Sequence, residues 1–226
     1  MCIRDRYWSG SSSNQSNNWS TSTLNTELNG TYLSTLLATS GINSKLSSVI
    51  VNAKWHLGGA NATPSSIYFI QTITTENYYN AERSPYATTG ALHNLYIDNP
   101  EYVFAKVGLM YPSDYGYATA GGSTTNKSSC RAKDLSSWSD SSYSDCKNND
   151  WVFKSATFIS GYEWFISPSA SGSVNASGFR STGFFDANYN VYRNRFAVRP
   201  TFYLDSSILK IVGTGDGTKD NAYRVG

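Results

Sequence analysis

The sequence predicts an α+β fold, with short helices early and an antiparallel, β-rich second half. Leu24, Leu28, Tyr32 and Leu36 recur at every fourth position, the spacing of one helical face. Val49, Val51, Ala53, Trp55 and Leu57 alternate with Ile50, Asn52, Lys54, His56 and Gly58, and a period of two is that of a strand. The last third carries short apolar runs separated by Gly, Asn and Ser, as hairpins and turns require. Aromatic residues make up 15% of the chain, far from the composition of a disordered polypeptide.

Each element follows in order. Residues 1–6, Met-Cys-Ile-Arg-Asp-Arg, resemble translated sequencing adaptor, read as non-native, and are set aside from the fold. A native start, with any export signal or anchor, is then expected elsewhere. Residues 7–22, Ser/Asn-rich from residue 9, read as a linker, and 23–226 as a single globular domain. The first helix takes Thr23 as its N-cap and ends near Gly41. The strand over 49–57 stops at Gly58-Gly59. A shorter strand is predicted over 67–73 and a short helix over 75–83. Val103, Ala105, Val107 and Leu109 alternate as a third strand. Pro112-Ser113-Asp114 breaks it, with Ser113 or Asp114 placed to cap a helical turn through Tyr117 and Ala118. Residues 119–150 are polar and turn-rich. Strands are predicted over 151–153, 164–166, 191–192, 201–204, 209–212 and 223–225. The Asp216-Gly217 pair before the last of them is a hairpin signal.

Charge excludes some functions. Lys, Arg, Asp and Glu make up 15% of the chain, with a net charge of +2, against about 25% in ordinary soluble domains. No basic patch is readable, so neither nucleic acid nor an anionic lipid surface is an expected partner. No run of about 18 apolar residues offers a membrane span.

Chemistry is sparse. His56 and His93 lack metal-ligand spacing, and both read as satisfied histidines. Asp216 and Asp220 lie near glycines but without the ligand pattern of a calcium loop, so a turn is the better reading. Phosphate-binding glycine motifs and the G-x-S-x-G elbow are missing, and no cofactor or metal is expected. Glu76, Glu82, Asp114 and Glu163 lie near aromatics, as the acids of a glycosidase would. With 16 acids among 17 Tyr, 10 Phe and 6 Trp, such neighbours also arise by chance. Cys130 and Cys146 form an even pair in a Ser/Asn-rich stretch. They read as a disulfide or as inert thiols, and a disulfide would place the chain outside the cytosol.

Residues 172–196 combine Phe184, Phe185, Tyr189, Tyr192, Arg193 and Arg195 with Asn, Ser and Gly. That is the composition of antibody binding loops. These aromatics either pack a sheet or form a recognition surface. The candidate ligand-binding set is Trp164, Phe184, Tyr189, Tyr192, Arg193 and Arg195, and the candidate catalytic set is empty.

Several segments carry a family resemblance together. They are Lys54-Trp55-His56-Leu57-Gly58-Gly59, Glu82-Arg83, the run Val107-Gly108-Leu109-Met110-Tyr111-Pro112-Ser113-Asp114-Tyr115-Gly116-Tyr117-Ala118, the two cysteines, Trp164-Phe165-Ile166-Ser167-Pro168, Val198-Arg199-Pro200, and the tail from Gly215 to Tyr223. The set resembles a group of surface proteins from gut Firmicutes, some with pilin-like N-termini. Its second half is similar to domains of unknown function of the DUF6273 type, associated with C-type-lectin-like or formylglycine-enzyme-like folds. The resemblance covers roughly residues 24–226, and only the tail departs from it, with Ala222 where the group has Pro. It implies a disulfide between Cys130 and Cys146 and an extracellular or cell-surface location. It assigns no catalytic residue. It also suggests that Arg199 is a buried, fold-fixing residue, tied to an acid or to carbonyls because an unpaired buried cation is costly. The expected function is a bacterial surface module that binds glycan or protein. A self-assembling, pilin-like head is the alternative, and a carbohydrate-active hydrolase the third reading.

Overall fold

A computed structural model describes residues 3–10, 15–38, 48–86, 93–156 and 161–206. The predicted end of the first helix at Gly41, the strands over 209–212 and 223–225 and the Asp216-Gly217 turn fall outside these residues.

Helix α1 runs as Thr23–Glu27, a π turn over Leu28–Tyr32, and Leu33–Ala38. Its N-cap is Ser22, whose side chain accepts from the Asn25 N–H, and Thr23 is the first helical residue. The buried stripe is Leu24, Leu28 and Leu33, with Leu37 packed beside it. A π turn inserts one residue, so the buried stripe steps from Leu28 to Leu33, Tyr32 packs beside it only partly buried, and Leu37 rather than Leu36 continues it.

Strand β1 (Ile3–Arg6) precedes this helix, β2 (Ala53–His56) follows it, and α2 (Thr75–Arg83) comes next, capped by Thr74. The strand predicted over 49–57 is shorter than expected. Ile50 bridges Leu204, and pairing with β3 (Tyr102–Ala105) begins only at Ala53. The strand predicted over 67–73 is instead turns and a 3₁₀ segment, Ile70–Thr72. The third strand breaks after Ala105, and its continuation β4 (Gly108–Leu109) pairs elsewhere. Helix α3 (Pro112–Tyr117) starts one residue before the expected caps. Asp114 therefore lies inside it and accepts the Tyr111 N–H at 2.8 Å.

The polar stretch 119–150 folds into α4 (Lys127–Arg131), 3₁₀ turns, and α5 (Ser144–Asn148). Cys130 and Cys146 join them in a disulfide with a Cα–Cα distance of 5.4 Å. Residues 151–153, expected as strand, open helix α6 (Trp151–Ser155), because the Asp150 carboxylate accepts the Phe153 N–H at 2.7 Å and caps a helix there.

The remaining strands are β5 (Tyr162–Pro168), β6 (Asn175–Arg180), β7 (Phe185–Asn190), β8 (Phe196–Val198) and β9 (Pro200–Thr201). A five-stranded sheet runs β1-β8-β5-β6-β7, while β2-β3 and β4-β9 form two-stranded sheets. The large sheet is antiparallel except where β5 lies parallel to β8. The fold is α+β.

Strand β5 is buried on both faces. Trp164 and Ile166 enter one core with Trp8, Trp19, Trp55 and the α1 leucines. Phe165 enters a second core with Tyr78, Tyr115, Trp138, Phe179, Phe185 and the disulfide.

Residues 15–22 do not behave as a linker. Asn17 is fully buried and donates to the carbonyls of Ser169, Gly172 and Asn175, each at 2.8 Å. Trp19 packs 5.0 Å from Trp8, whose indole donates to the Phe165 carbonyl. Ile3–Arg6, set aside in the sequence reading, form the edge strand beside β8.

Candidate functional site

A cleft of about 570 Å³ opens where α3, α6, β2 and the chain leaving β8 converge. Its wall includes Trp55, Asp114, Tyr117, Trp151, Arg199 and Tyr203. Trp151 is 48% exposed and Tyr203 44%, large values for aromatic rings in so tightly packed a molecule.

Local chemistry sets each of these residues. Trp151 is the first residue of α6, so the Asp150 cap fixes where its ring emerges. Trp55 forms the buried floor. Its indole N–H donates to the Ala105 carbonyl at 2.9 Å, and its ring lies 4.9 Å from Tyr203 and 6.1 Å from Tyr111. Gly108 underlies it, and a Cβ there would meet the Trp55 ring atoms at 2.7 Å, so only glycine lets the indole lie down. Tyr117 meets Tyr79 edge-on at 5.9 Å, and the Arg131 guanidinium stands 4.5 Å from the Tyr117 ring centre.

Arg199 is tied to an acid and a carbonyl, as expected, but its side chain is partly rather than fully buried, at 16% exposure. Ala197 in β8 is the register partner of Glu163 in β5, and Arg199, two residues on, returns to the same face. Its Nη2 donates to Glu163 Oε2 and to the Val152 carbonyl, each at 3.1 Å, and Nη1 donates to Ser155 Oγ at 3.0 Å. Nε stands 3.0 Å from Glu163 Oε1 as an ionic contact, and the second Nη1 hydrogen faces Met110 Sδ at 3.9 Å. Burial pushes the Glu163 carboxyl up to about 7 although Arg199 pulls it down. The guanidinium thus ties α6, and Trp151 with it, to the central sheet.

A second buried acid braces α3. Glu82 accepts the Ser113 N–H at 2.9 Å, the Ser113 hydroxyl at 2.5 Å and an Arg83 N–H at 2.6 Å. Burial raises its carboxyl to about 8 despite these donors. Arg83 stacks on Tyr79, 3.7 Å from the ring centre. Asp114 is also pushed upward by burial, and the Tyr111 N–H and Arg83 only partly offset this.

The candidate set from 172–196 does not form one surface. Trp164 and Tyr189 are enclosed in the first core, because alternate β5 and β7 residues point inward. They are corrected to core residues. The Trp164 indole donates to the Arg6 carbonyl at 2.9 Å, and the Tyr189 hydroxyl accepts from Arg180 Nε at 2.8 Å. Phe184 is half-buried beside Arg180, and Tyr192 packs against the first core. Arg193 and Arg195 are exposed, beside the Tyr192 and Tyr7 rings respectively. Phe184 precedes β7 and Tyr192 follows it, which separates them by roughly 25 Å at the rise of an extended strand.

The sequence reading missed Trp151, Tyr117 and Tyr203. A signal existed for Trp151, since Asp150 three residues before Phe153 is a capping pattern. Tyr203 comes to the cleft only through the pairing of Val51 with Tyr203, which no local pattern announces.

His56 is half-buried and its pKa is lowered, by burial first and then by Lys54 and Arg83. Among the described residues, no group of three His, Cys, Asp or Glu side chains is arranged to hold a metal ion, and no helix is long and apolar enough to cross a membrane. No protein-family model, curated protein or solved structure matches the chain.

Proposed function

We propose that the chain is an extracellular or cell-surface binding module that holds a glycan in the aromatic cleft. The observation that carries this reading is the pair of exposed rings, Trp151 and Tyr203, flanking a cleft that also presents the Asp114 carboxyl. Exposed aromatic faces stack on the apolar faces of sugar rings, and a few placed polar groups orient such a ligand. The Cys130–Cys146 disulfide supports the location, since such bonds persist in oxidising compartments. The resemblance to Firmicutes surface proteins and a C-type-lectin-like second half belong to the same proposal.

A hydrolase would need two carboxyls about 5 to 9.5 Å apart around the sugar. Glu82 and Glu163 are fully buried and each paired with an arginine. Asp114 is then the one carboxyl lining the cleft among the described residues, and binding is the better reading.

The test is a glycan array probed with the wild-type chain and with Trp151→Ala. Selective hits that Trp151→Ala loses, with an unchanged melting temperature, support the reading. A blank array from folded protein overturns it. Weight would then move to self-assembly, which the exposed Tyr102 and Phe104 rings on β3 would serve.

A further inference from the structure

Given the cleft as the ligand site, we propose that it selects glycans bearing a free amine and turns acidic glycans away. The charges around the cleft carry this. Arg199 is the one cation in its wall among the described residues. Four of its five N–H groups are directed at Glu163, Val152, Ser155 and Met110, and Nε lies 3.0 Å from Glu163 Oε1 in ion-pair contact. A guanidinium recognises a carboxylate or sulfate by offering a free pair of N–H donors, and with both Nη1 and both Nη2 hydrogens engaged Arg199 has no such pair to offer. Its charge is also opposed at contact distance by Glu163.

Asp114 is the opposite case. Its Oδ2 accepts the Tyr111 N–H, and its Oδ1 takes no hydrogen bond among the described residues. The nearby cations are engaged elsewhere. Arg83 is paired with Glu82 and stacked on Tyr79, and Arg131 stands over Tyr117 and lines a separate, smaller cleft with Glu76. An ammonium group entering the aromatic cleft would find a carboxylate oxygen and the faces of Trp151 and Tyr203. Each of these attracts a cation, the rings through their quadrupole. Burial disfavours the Asp114 charge more than the Tyr111 N–H and Arg83 support it, and an ammonium partner would relieve that. The ligand class is therefore an amino sugar with its nitrogen unacylated, rather than the N-acetyl form or a uronic acid.

The experiment is calorimetric titration with three tetrasaccharides: the β-1,4 glucosamine tetramer, its fully N-acetylated counterpart, and the galacturonate tetramer. Asp114→Asn keeps a carbonyl oxygen for the Tyr111 N–H but removes the charge. The expected result is about tenfold or tighter binding of the glucosamine tetramer over the acetylated one, with no measurable galacturonate binding. Asp114→Asn should remove most of the preference without weakening the acetylated tetramer, whereas Trp151→Ala should weaken both binders, the glucosamine tetramer somewhat more because the ring also attracts its ammonium. Should Asp114→Asn fail to fold, salt serves instead, because added NaCl should weaken the glucosamine complex and spare the acetylated one. Equal affinity for those two, or preference for galacturonate, overturns the selectivity and leaves the cleft standing as a binding site. Failure of all three to bind folded protein overturns the cleft reading together with the selectivity.

Discussion

Arg199 and Asp150 show opposite ways of burying charge. Arg199 hydrogen-bonds through four of its five hydrogens and holds Nε in ion-pair contact with Glu163, and removing it would leave Glu163 buried without its cation. Arg199→Ala should therefore cost about 3 to 5 kcal/mol, read as a drop in the urea midpoint at constant slope. A midpoint within error of wild type would refute the role given to the ion pair. Asp150 is less well served. Its Oδ1 caps α6, but its Oδ2 is buried with no hydrogen-bond partner, and burial raises the carboxyl to about 8. A carboxyl with a raised folded pKa binds more protons folded than unfolded, so its contribution to stability falls as pH rises through the window between the two values. For Asp150 that window runs from 3.8 to about 8. Glu82 and Glu163 act in the same direction, from 4.5 to about 8 and about 7. Asp140 and Asp145 have lowered values and act oppositely, losing their contribution only as pH falls below 3.8. The melting temperature should thus be higher near pH 5 than near pH 8.5. Asp150→Asn keeps the cap acceptor and should flatten this slope by raising the melting temperature clearly more at pH 8.5 than at pH 5, since the penalty accumulates from 3.8 upward. An equal shift at both pH values would show that the carboxyl does not titrate in that window.

The helices around the disulfide are too short to stand alone. Helices α4 and α5 have five residues each, well below the length at which a helix holds together in water. They persist because Cys130 and Cys146 staple them and because Asn126 and Asp145 satisfy backbone donors at loop and helix ends. Replacing both cysteines with serine should cost about 3 kcal/mol, the chain-entropy value for a loop of this length. Reducing agent should lower the wild-type melting temperature and leave the double serine variant unmoved. Legibility in the sequence varied among such elements for physical reasons. Helix α2 was readable because Thr74 caps it, Arg83 ends it, and Tyr78 and Ala81 mark its inner face, although Thr75 and Glu82 share that face and are buried with them. The strands of the central sheet were readable only in part. Glu163 and Ser167 interrupt the expected alternation in β5, since both faces are buried; Arg199 holds Glu163 there, while the Ser167 hydroxyl is buried without a hydrogen-bond partner among the described residues. The stretch 151–153 looked like a strand because Trp, Val and Phe favour strands, and the Asp150 cap overrode that preference. The cleft was the least legible feature. Trp55, Tyr117, Trp151 and Tyr203 are brought together by tertiary pairing, whereas the aromatics clustered in sequence over 184–192 are split between core and surface.

The large sheet couples the two halves of the hydrophobic interior. Trp8, Trp19, Trp55 and Trp164 belong to one core, and Trp138 with Tyr115 and the disulfide to the other. The two share β5, β6 and β7. Phe165 faces one core between Trp164 and Ile166, which face the other, and Phe179 and Phe185 lie across the sheet from Ala176 and Tyr189. Losing either core would strip one face of three strands, expose their apolar side chains to water and remove support from the other face. A chain of 226 residues exceeds the length of about 150 residues below which all-or-none unfolding is usual, so two steps would be the default expectation. The shared strands predict one. Tryptophan fluorescence, dominated by the first core, and far-UV circular dichroism, which reports both, should give superimposable urea transitions. Phe165→Ala truncates a ring that stacks on Phe179 at 5.0 Å in the second core and should cost about 3 to 5 kcal/mol. If the cores are coupled, it must shift the fluorescence transition of the first core by as much as the dichroism transition. A fluorescence midpoint that stays in place while the dichroism midpoint falls would mean that the two halves melt independently across the sheet they share.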